Sequence, residues 1–156
     1  MKQKYTSADT SINSKKLPAI YGMIKGRVTE NETVLDYGCG KYFDDYNLPE
    51  NFHGYDPFNR PDETELNRQY DVALCSNVLN VIMEKEIRLD LLRTLQKLAD
   101  RIMITVYEGD KSGEGKETKE DCFQLNRKKR EYLPELIEVF GAKNVKYSRG
   151  YFECTA

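Results

Sequence analysis

A glycine-containing bend directly after a short apolar run is the feature that most restricts how this chain can fold. The run Glu32 to Tyr37 (E-T-V-L-D-Y) is rich in β-forming side chains and stops at Gly38-Cys39-Gly40, which predicts a strand ending in a tight turn. Glycines let the backbone bend sharply and let a ligand approach where a Cβ would obstruct it. A helix after the bend would point its N-terminus at the same place. The bend is therefore a candidate binding site, with a turn that binds nothing as the alternative.

Further strands are predicted by short β-rich runs at 52–55, 70–75 and 101–107. The run Tyr70 to Cys75 is apolar on both faces, as a central parallel strand should be. Two more runs, at 144–148 and 151–154, flank Arg149-Gly150 and predict a closing antiparallel hairpin.

Helices are predicted at about 17–28, at 84–99, from Thr118 and at 133–140. In the second of these, the stripe Ile87, Leu91, Leu95 and Leu98 predicts the buried face, and Glu84 and Arg88 are spaced as an i,i+4 ion pair. The third rests on Thr118 and Asp121, which fit a capping box. Strands alternating with helices predict an α/β fold, with a mostly parallel sheet that carries helices on both faces.

The length of 156 residues fits one domain, 1–156, with an N-terminal arm and helix over 1–30 and the sheet-containing core over 31–156. The four cysteines form no C-x-x-C pair, so neither a metal site nor a disulfide framework is predicted. No apolar run approaches the length of a membrane span. A cytoplasmic protein with reduced thiols is expected.

An acidic residue follows the glycine bend at a distance that has chemical meaning. Asp56 stands 18 positions after Gly38, at the expected end of the second strand. An acid about 20 residues after such a bend is placed to accept hydrogen bonds from ribose hydroxyls. The alternative is that Asp56-Pro57 only starts a turn.

Polar residues also follow the third predicted strand, where Cys75 is succeeded by Ser76 and Asn77. Ligands of open parallel sheets bind beyond the carboxyl ends of the strands, so both side chains are placed to meet one. Capping of the next helix is the competing interpretation.

Together these segments resemble the class I S-adenosylmethionine-dependent methyltransferases, whose fold is Rossmann-like. V-L-D-Y-G-C-G resembles the glycine-rich first motif of that family, G-Y-D its ribose-binding acid, and Y-D-V-A-L-C-S-N-V-L-N-V-I its fourth-strand motif. The resemblance implies S-adenosylmethionine as cofactor and methyl transfer as activity. The cofactor-binding residues that it implies are Asp36, Gly38 and Gly40 for the methionine part, Asp56 for the ribose, Pro57 and Phe58 beside the adenine, and Ser76 and Asn77 at the reacting end.

The chain departs from the family pattern in three ways. Tyr42 stands where the family often has a third glycine. Only 13 residues separate Asp56 from the third strand, too few for the usual strand and helix, so the sheet is abbreviated and the usual adenine-contacting carboxylate is not assigned; Asp62 or Glu63 could substitute for it. Asn80-Val81 replaces the Glu-His that often follows, which removes an obvious general base. A non-catalytic S-adenosylmethionine-binding partner of a larger complex, such as a DNA-modification complex, is therefore the alternative function.

Candidates for catalysis are Tyr107 and Glu108, which follow the fourth strand, and Asn80. Glu108 could act as a base or position a methyl acceptor. The competing interpretation is an exposed, charged loop. The single histidine, His53, is expected to be structural.

The whole chain is also similar to a small group of bacterial and phage methyltransferase-like proteins, some of them associated with DNA phosphorothioation, through segments 10–18 and 112–133. The expected acceptor is a small molecule or a nucleic-acid component; a net charge of −2 argues against a non-specific nucleic-acid coat. The residues that would contact phosphates are Lys15, Lys16, Arg127, Lys128, Lys129 and Arg130. On a helix the last four would spread around the axis, which favours a solvated surface instead.

Overall fold

A six-stranded sheet forms the centre of the molecule. The computed structural model describes residues 1–9 and 16–156. The strands are β1 Val34–Tyr37, β2 Phe52–Tyr55, β3 Tyr70–Ser76, β4 Ala99–Thr105, β5 Gly115–Lys119, β6 Cys122–Leu125, β7 Val145–Ser148 and β8 Tyr151–Thr155. In the main sheet they lie in the order β2-β1-β3-β4-β8-β7, while β5 and β6 pair separately. The first four strands are parallel, and β8 is antiparallel to both β4 and β7.

Helices cover both faces of this sheet. They are α1 Ala19–Met23, α2 Lys85–Leu98 and α3 Leu133–Phe140. Successive residues of a strand point to opposite faces, so Leu35 and Ile102 pack with α2 and α3, whereas Val34, Val72 and Met103 pack with α1. The predicted α/β architecture, with its abbreviated sheet and C-terminal hairpin, is confirmed.

Connections between the first three strands are short and contain only 3₁₀ turns, Phe43–Tyr46 and Glu63–Asn67. The prediction of a helix after the glycine bend is therefore wrong, because the 14 residues between β1 and β2 contain only the 3₁₀ turn Phe43–Tyr46. The predicted helix at 17–28 is also shorter, and its α-helical part is α1 alone.

The helix predicted from Thr118 is wrong. This segment is the β5–β6 hairpin, in which Asp121 occupies the turn with a left-handed φ of 60°. Its carboxylate accepts a hydrogen bond from the backbone N–H of Thr6, 3.0 Å away, instead of capping a helix. A tertiary contact with the N-terminal arm has thus overridden the local capping pattern.

Two details of α2 differ from expectation. Its fully buried apolar side chains are Leu89, Leu92 and Leu95, while Ile87 and Leu91 are only half-buried. The predicted ion pair between Glu84 and Arg88 is not formed either.

Arg88 is 2% exposed and binds Glu135 of α3 through two hydrogen bonds of 2.9 and 2.6 Å. Its guanidinium also donates to the carbonyls of Ile82 and Met83. A buried charge needs such partners, so the arginine turned inward to join the two helices.

No helix in the described part of the chain is long and apolar enough to cross a membrane. Within the same residues, no three His, Cys, Asp or Glu side chains are grouped so that they could hold a metal ion.

Candidate functional site

A cavity of about 910 Å³ lies where β1, β2, β3 and β4 end. All of the residues expected to bind a cofactor line it: Asp36, Gly38, Gly40, Asp56, Pro57, Phe58, Ser76 and Asn77. These side chains come from three different strand ends, and the parallel sheet brings them together at one edge.

The glycine bend has a backbone that other residues adopt with difficulty. Gly38 and Gly40 have φ values of 78° and 75°. A Cβ at Gly38 would come well inside contact distance of the side chain of Val78, whereas a Cβ at Gly40 would meet nothing within 4 Å. Gly38 is therefore closed off by packing, and the space beside Gly40 is open.

Asp56 joins this bend to the end of β2. One carboxylate oxygen accepts from the N–H of Gly40 at 3.0 Å, and the other from the N–H groups of Phe58 and Asn59 at 2.9 and 3.0 Å. Asp56 is 9% exposed. The carboxylate thus stabilises the turn after β2 and also contacts the glycine bend. A role in starting this turn is therefore compatible with a role in binding a ribose hydroxyl.

Asp36 lies at the end of β1 and is 3% exposed. Burial raises the pKa of its carboxyl to about 6; the hydrogen bond from Tyr21 opposes the rise, and the charge of Asp56 adds to it. The Tyr21 hydroxyl of α1 donates that bond at 2.6 Å, and burial together with Asp36 raises the pKa of the phenol as well. A buried carboxylate beside a cavity is suited to bind a cationic group.

The end of β3 turns through Asn77, which has a left-handed φ of 58° and donates its N–H to the carbonyl of Thr105 at 2.9 Å. Asn is one of the residues that tolerates this conformation. The following 3₁₀ helix, Leu79–Val81, has no side-chain cap. Ser76 and Asn77 therefore do not cap it, and both face the cavity region instead.

Two of the three catalytic candidates line the cavity. Asn80 is 2% exposed, whereas Tyr107 is 63% exposed. Glu108 is not among the lining residues of the described chain: its carboxylate accepts from the backbone N–H of Lys129 at 2.8 Å. The structure thus gives Glu108 a turn-stabilising contact outside the cavity.

The proposed substitutes for the missing adenine-contacting acid do not line the cavity either. Asp62 accepts from the N–H of Thr64 at the start of a 3₁₀ helix, and Glu63 accepts from the hydroxyl of Tyr55 at 3.0 Å. Besides Asp36 and Asp56, the acidic residue that lines the cavity in the described part of the chain is Asp90 of α2.

Part of the cavity wall comes from segments that the sequence did not indicate. The N-terminal arm contributes Met1, Gln3, Thr6 and Ser7. The arm is held on the β5–β6 hairpin, where Tyr5 stacks on Phe123 with ring centroids 5.3 Å apart. Contacts between residues more than 100 positions apart leave no local signal in a sequence.

Helix α2 also contributes to the wall, through Ile87, Asp90, Leu91 and Thr94. The apolar members were assigned to the core from their spacing. The sequence also contains a second apolar stripe, Leu89, Leu92 and Leu95, beside the predicted one. The presence of two stripes on one helix is the signal that could have shown that part of the predicted stripe does not face the core.

The basic residues are dispersed. Lys15 lies outside the described residues, and Lys16 and Lys129 line the cavity. Arg127 turns toward the buried carboxylate of Glu135 at 3.3 Å. The run from 127 to 130 is not α-helical; its end belongs to the 3₁₀ helix Lys129–Tyr132, and Lys128 and Arg130 are exposed.

No protein-family model matches this chain, and no curated protein matches it. Solved structures do match. The N-terminal domain of EvdMO1 with SAH bound has a TM-score of 0.56 at 13% identity, over 90% of this chain and 82% of that chain. The same domain in the presence of SAH and D-fucose gives a TM-score of 0.50 at 12% identity, over 93% and 82%. An S-adenosylmethionine dependent methyltransferase from Mesorhizobium loti gives 0.49 at 11% identity, over 87% and 85%.

At these identities the likeness concerns the fold. The strand order, the parallel core with an antiparallel C-terminal hairpin, and the match over most of both chains agree with one another. The chain has the Rossmann-like fold of the methyltransferases, with an abbreviated sheet.

Proposed function

We propose that this protein is an S-adenosylmethionine-dependent methyltransferase. The observation that carries the proposal is the convergence of the Gly38–Gly40 bend and the Asp56 carboxylate, 3.0 Å apart, on one cavity at the carboxyl edge of the sheet. Structural neighbours with the same fold were solved with SAH bound, which supports the proposal.

The residues present fit such a cofactor. A volume of about 910 Å³ lies near the upper end of the roughly 300–1,000 Å³ that small-molecule sites span. The bare backbone at Gly40 leaves room beside the bend. When bound, the cofactor supplies a methyl group on a positively charged sulfur.

Each side chain has a distinct proposed task. Asp36, buried and anionic above its pKa of about 6, attracts the ammonium group of the methionine part. Among the described residues, one oxygen of Asp56 accepts only the Gly40 N–H, and a carboxylate oxygen can accept a second bond, here from a ribose hydroxyl. Phe58, 44% exposed, and Pro57 offer an apolar surface to the adenine.

Methyl transfer is an in-line displacement, so holding the acceptor in line supplies much of the acceleration. The acceptor then lies at the end of β4, opposite Asp56. A small molecule is favoured because the N-terminal arm forms part of the wall and Arg127 binds Glu135, so that only Lys16 and Lys129 of the described candidate phosphate contacts line the cavity. A nucleic-acid component is the second acceptor class, supported by the similarity to the phosphorothioation-associated group.

Isothermal titration with S-adenosylmethionine tests the proposal. The wild-type protein should bind it and should not bind NAD. Asp56→Ala should weaken binding about 10- to 100-fold, the effect of losing hydrogen bonds to a charged group. Asp62→Ala is the matched control, because this carboxylate also organises a turn but lies outside the cavity, and it should bind like the wild type.

Absence of binding by the wild-type protein would contradict the proposal. Binding without any methylated product from a cell extract would instead favour the alternative, a non-catalytic cofactor-binding partner of a larger complex.

A further inference from the structure

Two side-chain amides meet at the β4 side of the cavity, and the orientation of one is determined by its surroundings. The side-chain nitrogen of Gln124 lies 3.0 Å from the carbonyl oxygens of both Tyr107 and Leu125. Carbonyl oxygens only accept hydrogen bonds, so the nitrogen of Gln124 must face them. Its oxygen must then face Asn80.

This arrangement determines the orientation of Asn80 in turn. The Asn80 nitrogen donates to the Gln124 oxygen at 3.0 Å, so the Asn80 oxygen, Oδ1, takes no part in the contact with Gln124. Oδ1 is buried and has no hydrogen-bond partner among the described residues. Asn80 itself is 2% exposed and lines the cavity.

Buried polar atoms are almost always hydrogen-bonded, and an unpaired one in a native structure calls for an explanation. The partner that is missing here must be a donor, because Oδ1 can only accept. Near it, Tyr107 presents an aromatic ring that is 63% exposed, and Val81 and Val106 add apolar lining.

We infer that Asn80 determines acceptor specificity: Oδ1 accepts a hydrogen bond from an N–H or O–H group of the methyl acceptor. The acceptor is a flat ring compound whose face packs on Tyr107 and whose edge carries that donor. This inference rests on the proposed function, since it names the class of molecule that the same cavity holds beside the cofactor.

Ligand-observed NMR with matched pairs of ring compounds tests this inference without turnover. The pairs are phenol and anisole, aniline and N,N-dimethylaniline, and benzimidazole and N-methylbenzimidazole. In each pair the second member keeps the ring and lacks the donor. In the presence of SAH, the wild-type protein should bind the donor-bearing member of at least one pair about tenfold more tightly.

Asn80→Leu should reduce this preference to less than twofold while SAH binding stays within twofold of the wild type. Gln124→Met, which frees the Asn80 amide to rotate, should also reduce the preference and serves if the first variant does not fold. Asn51→Ala is the matched control: this asparagine also donates to one oxygen, the carbonyl of Glu32, but precedes β2 at the opposite edge of the sheet. It should keep the full preference.

Equal binding of both members of every pair, no binding at all, or a preference that survives in Asn80→Leu would overturn the inference. SAH binding is measured on the same samples. If SAH does not bind, the proposed function fails. The preference for the donor-bearing ring compounds, measured in the absence of SAH, then still tests whether Asn80 accepts a hydrogen bond from them.

Discussion

The two sides of the cavity are built in different ways. The glycine side, comprising Gly38, Gly40 and Asp56, owes its shape to backbone angles and to backbone N–H groups that the carboxylate accepts. The amide side, comprising Asn80 and Gln124, depends on a hydrogen bond between side chains 44 positions apart and leaves one acceptor atom without a partner among the described residues.

This difference separates what is general from what is specific in the site. A surface made by backbone geometry suits a ligand common to many proteins of one fold, because it tolerates change in the surrounding side chains. A surface made by side chains from remote segments can change its ligand by a few substitutions. We expect mutations on the glycine side to change both the stability of the fold and the affinity for the cofactor. Mutations on the amide side should change only the binding and methylation of the acceptor.

The largest effect is expected from Gly38→Ala. The left-handed φ costs about 1–2 kcal/mol for any residue with a Cβ, and the clash with Val78 adds about 1–3 kcal/mol. Urea denaturation should therefore show a loss of about 2–5 kcal/mol in the free energy of unfolding. Gly40 has the same type of φ, but a Cβ there would meet no neighbouring atom, so Gly40→Ala should lose only the contribution from the backbone angle.

The double variant Gly38→Ala/Val78→Ala separates the two causes, because it removes the clashing methyl groups. Relative to Val78→Ala alone, the Gly38 substitution should then cost about as much as Gly40→Ala. Equal losses for Gly38→Ala and Gly40→Ala in the wild-type background would show that packing against Val78 does not matter.

A change of pH is expected to have an intermediate effect on stability and on cofactor binding, because it changes the protonation of Asp36. Its carboxyl ordinarily titrates near 3.8, and in the folded protein the pKa is raised to about 6. The folded state therefore binds the proton more tightly, so this group's stabilising contribution is complete below pH 4 and is lost as the pH rises through 6. The ammonium group of the cofactor needs the opposite, ionised form.

Titration of S-adenosylmethionine binding should accordingly show a plateau above pH 6 and a decline toward tenfold per pH unit below it. Asp36→Asn should bind weakly and show no such dependence. Tyr21→Phe removes the hydrogen bond that stabilises the carboxylate, so it should move the midpoint to higher pH. A pH profile that is the same in Asp36→Asn would assign the titration to another group.

The smallest effect on folding is expected from Tyr107→Ala on the amide side. The ring is 63% exposed, so the free energy of unfolding should change by no more than about 0.5 kcal/mol. Cofactor affinity should stay within twofold, whereas methyl transfer to the acceptor should fall. Tyr147→Ala, which removes a comparably exposed ring (56%) from β7, should leave cofactor affinity and methyl transfer unchanged, although the loss of its packing on Phe152 should lower the free energy of unfolding by about 0.5–1.5 kcal/mol. A large loss of cofactor affinity in Tyr107→Ala would abolish the distinction between the two sides.

The glycine side could be predicted from the sequence because its signals are local. The Gly38-Cys39-Gly40 bend directly follows the strand that ends at Tyr37, and Asp56 directly follows the second strand. The predicted bounds of the strands agree with the observed bounds to within two residues. Parallel pairing then places the ends of these strands at one edge without further information.

The amide side could be predicted only in part, because its geometry depends on distant contacts. Asn80 was named, but its partner Gln124 lies in a hairpin that the Thr118 and Asp121 pattern assigned to a helix. That pattern is shared by helix caps and by turns, since Asp stabilises both. The arm that holds the hairpin, through Tyr5 and Phe123, decided between them.

The ion pair between Arg88 and Glu135 has a consequence for how this fold can vary over evolutionary time. Arg88 has Glu135 as its carboxylate partner among the described residues, whereas Glu135 also contacts Arg127 at 3.3 Å. Replacing Glu135 alone therefore leaves the Arg88 charge in an apolar environment, whereas exchanging both members of the pair for apolar side chains of similar volume often costs little. We therefore expect positions 88 and 135 to covary in any lineage of such chains, and expect Arg127, which touches the same carboxylate, to be released toward solvent wherever the pair has become apolar.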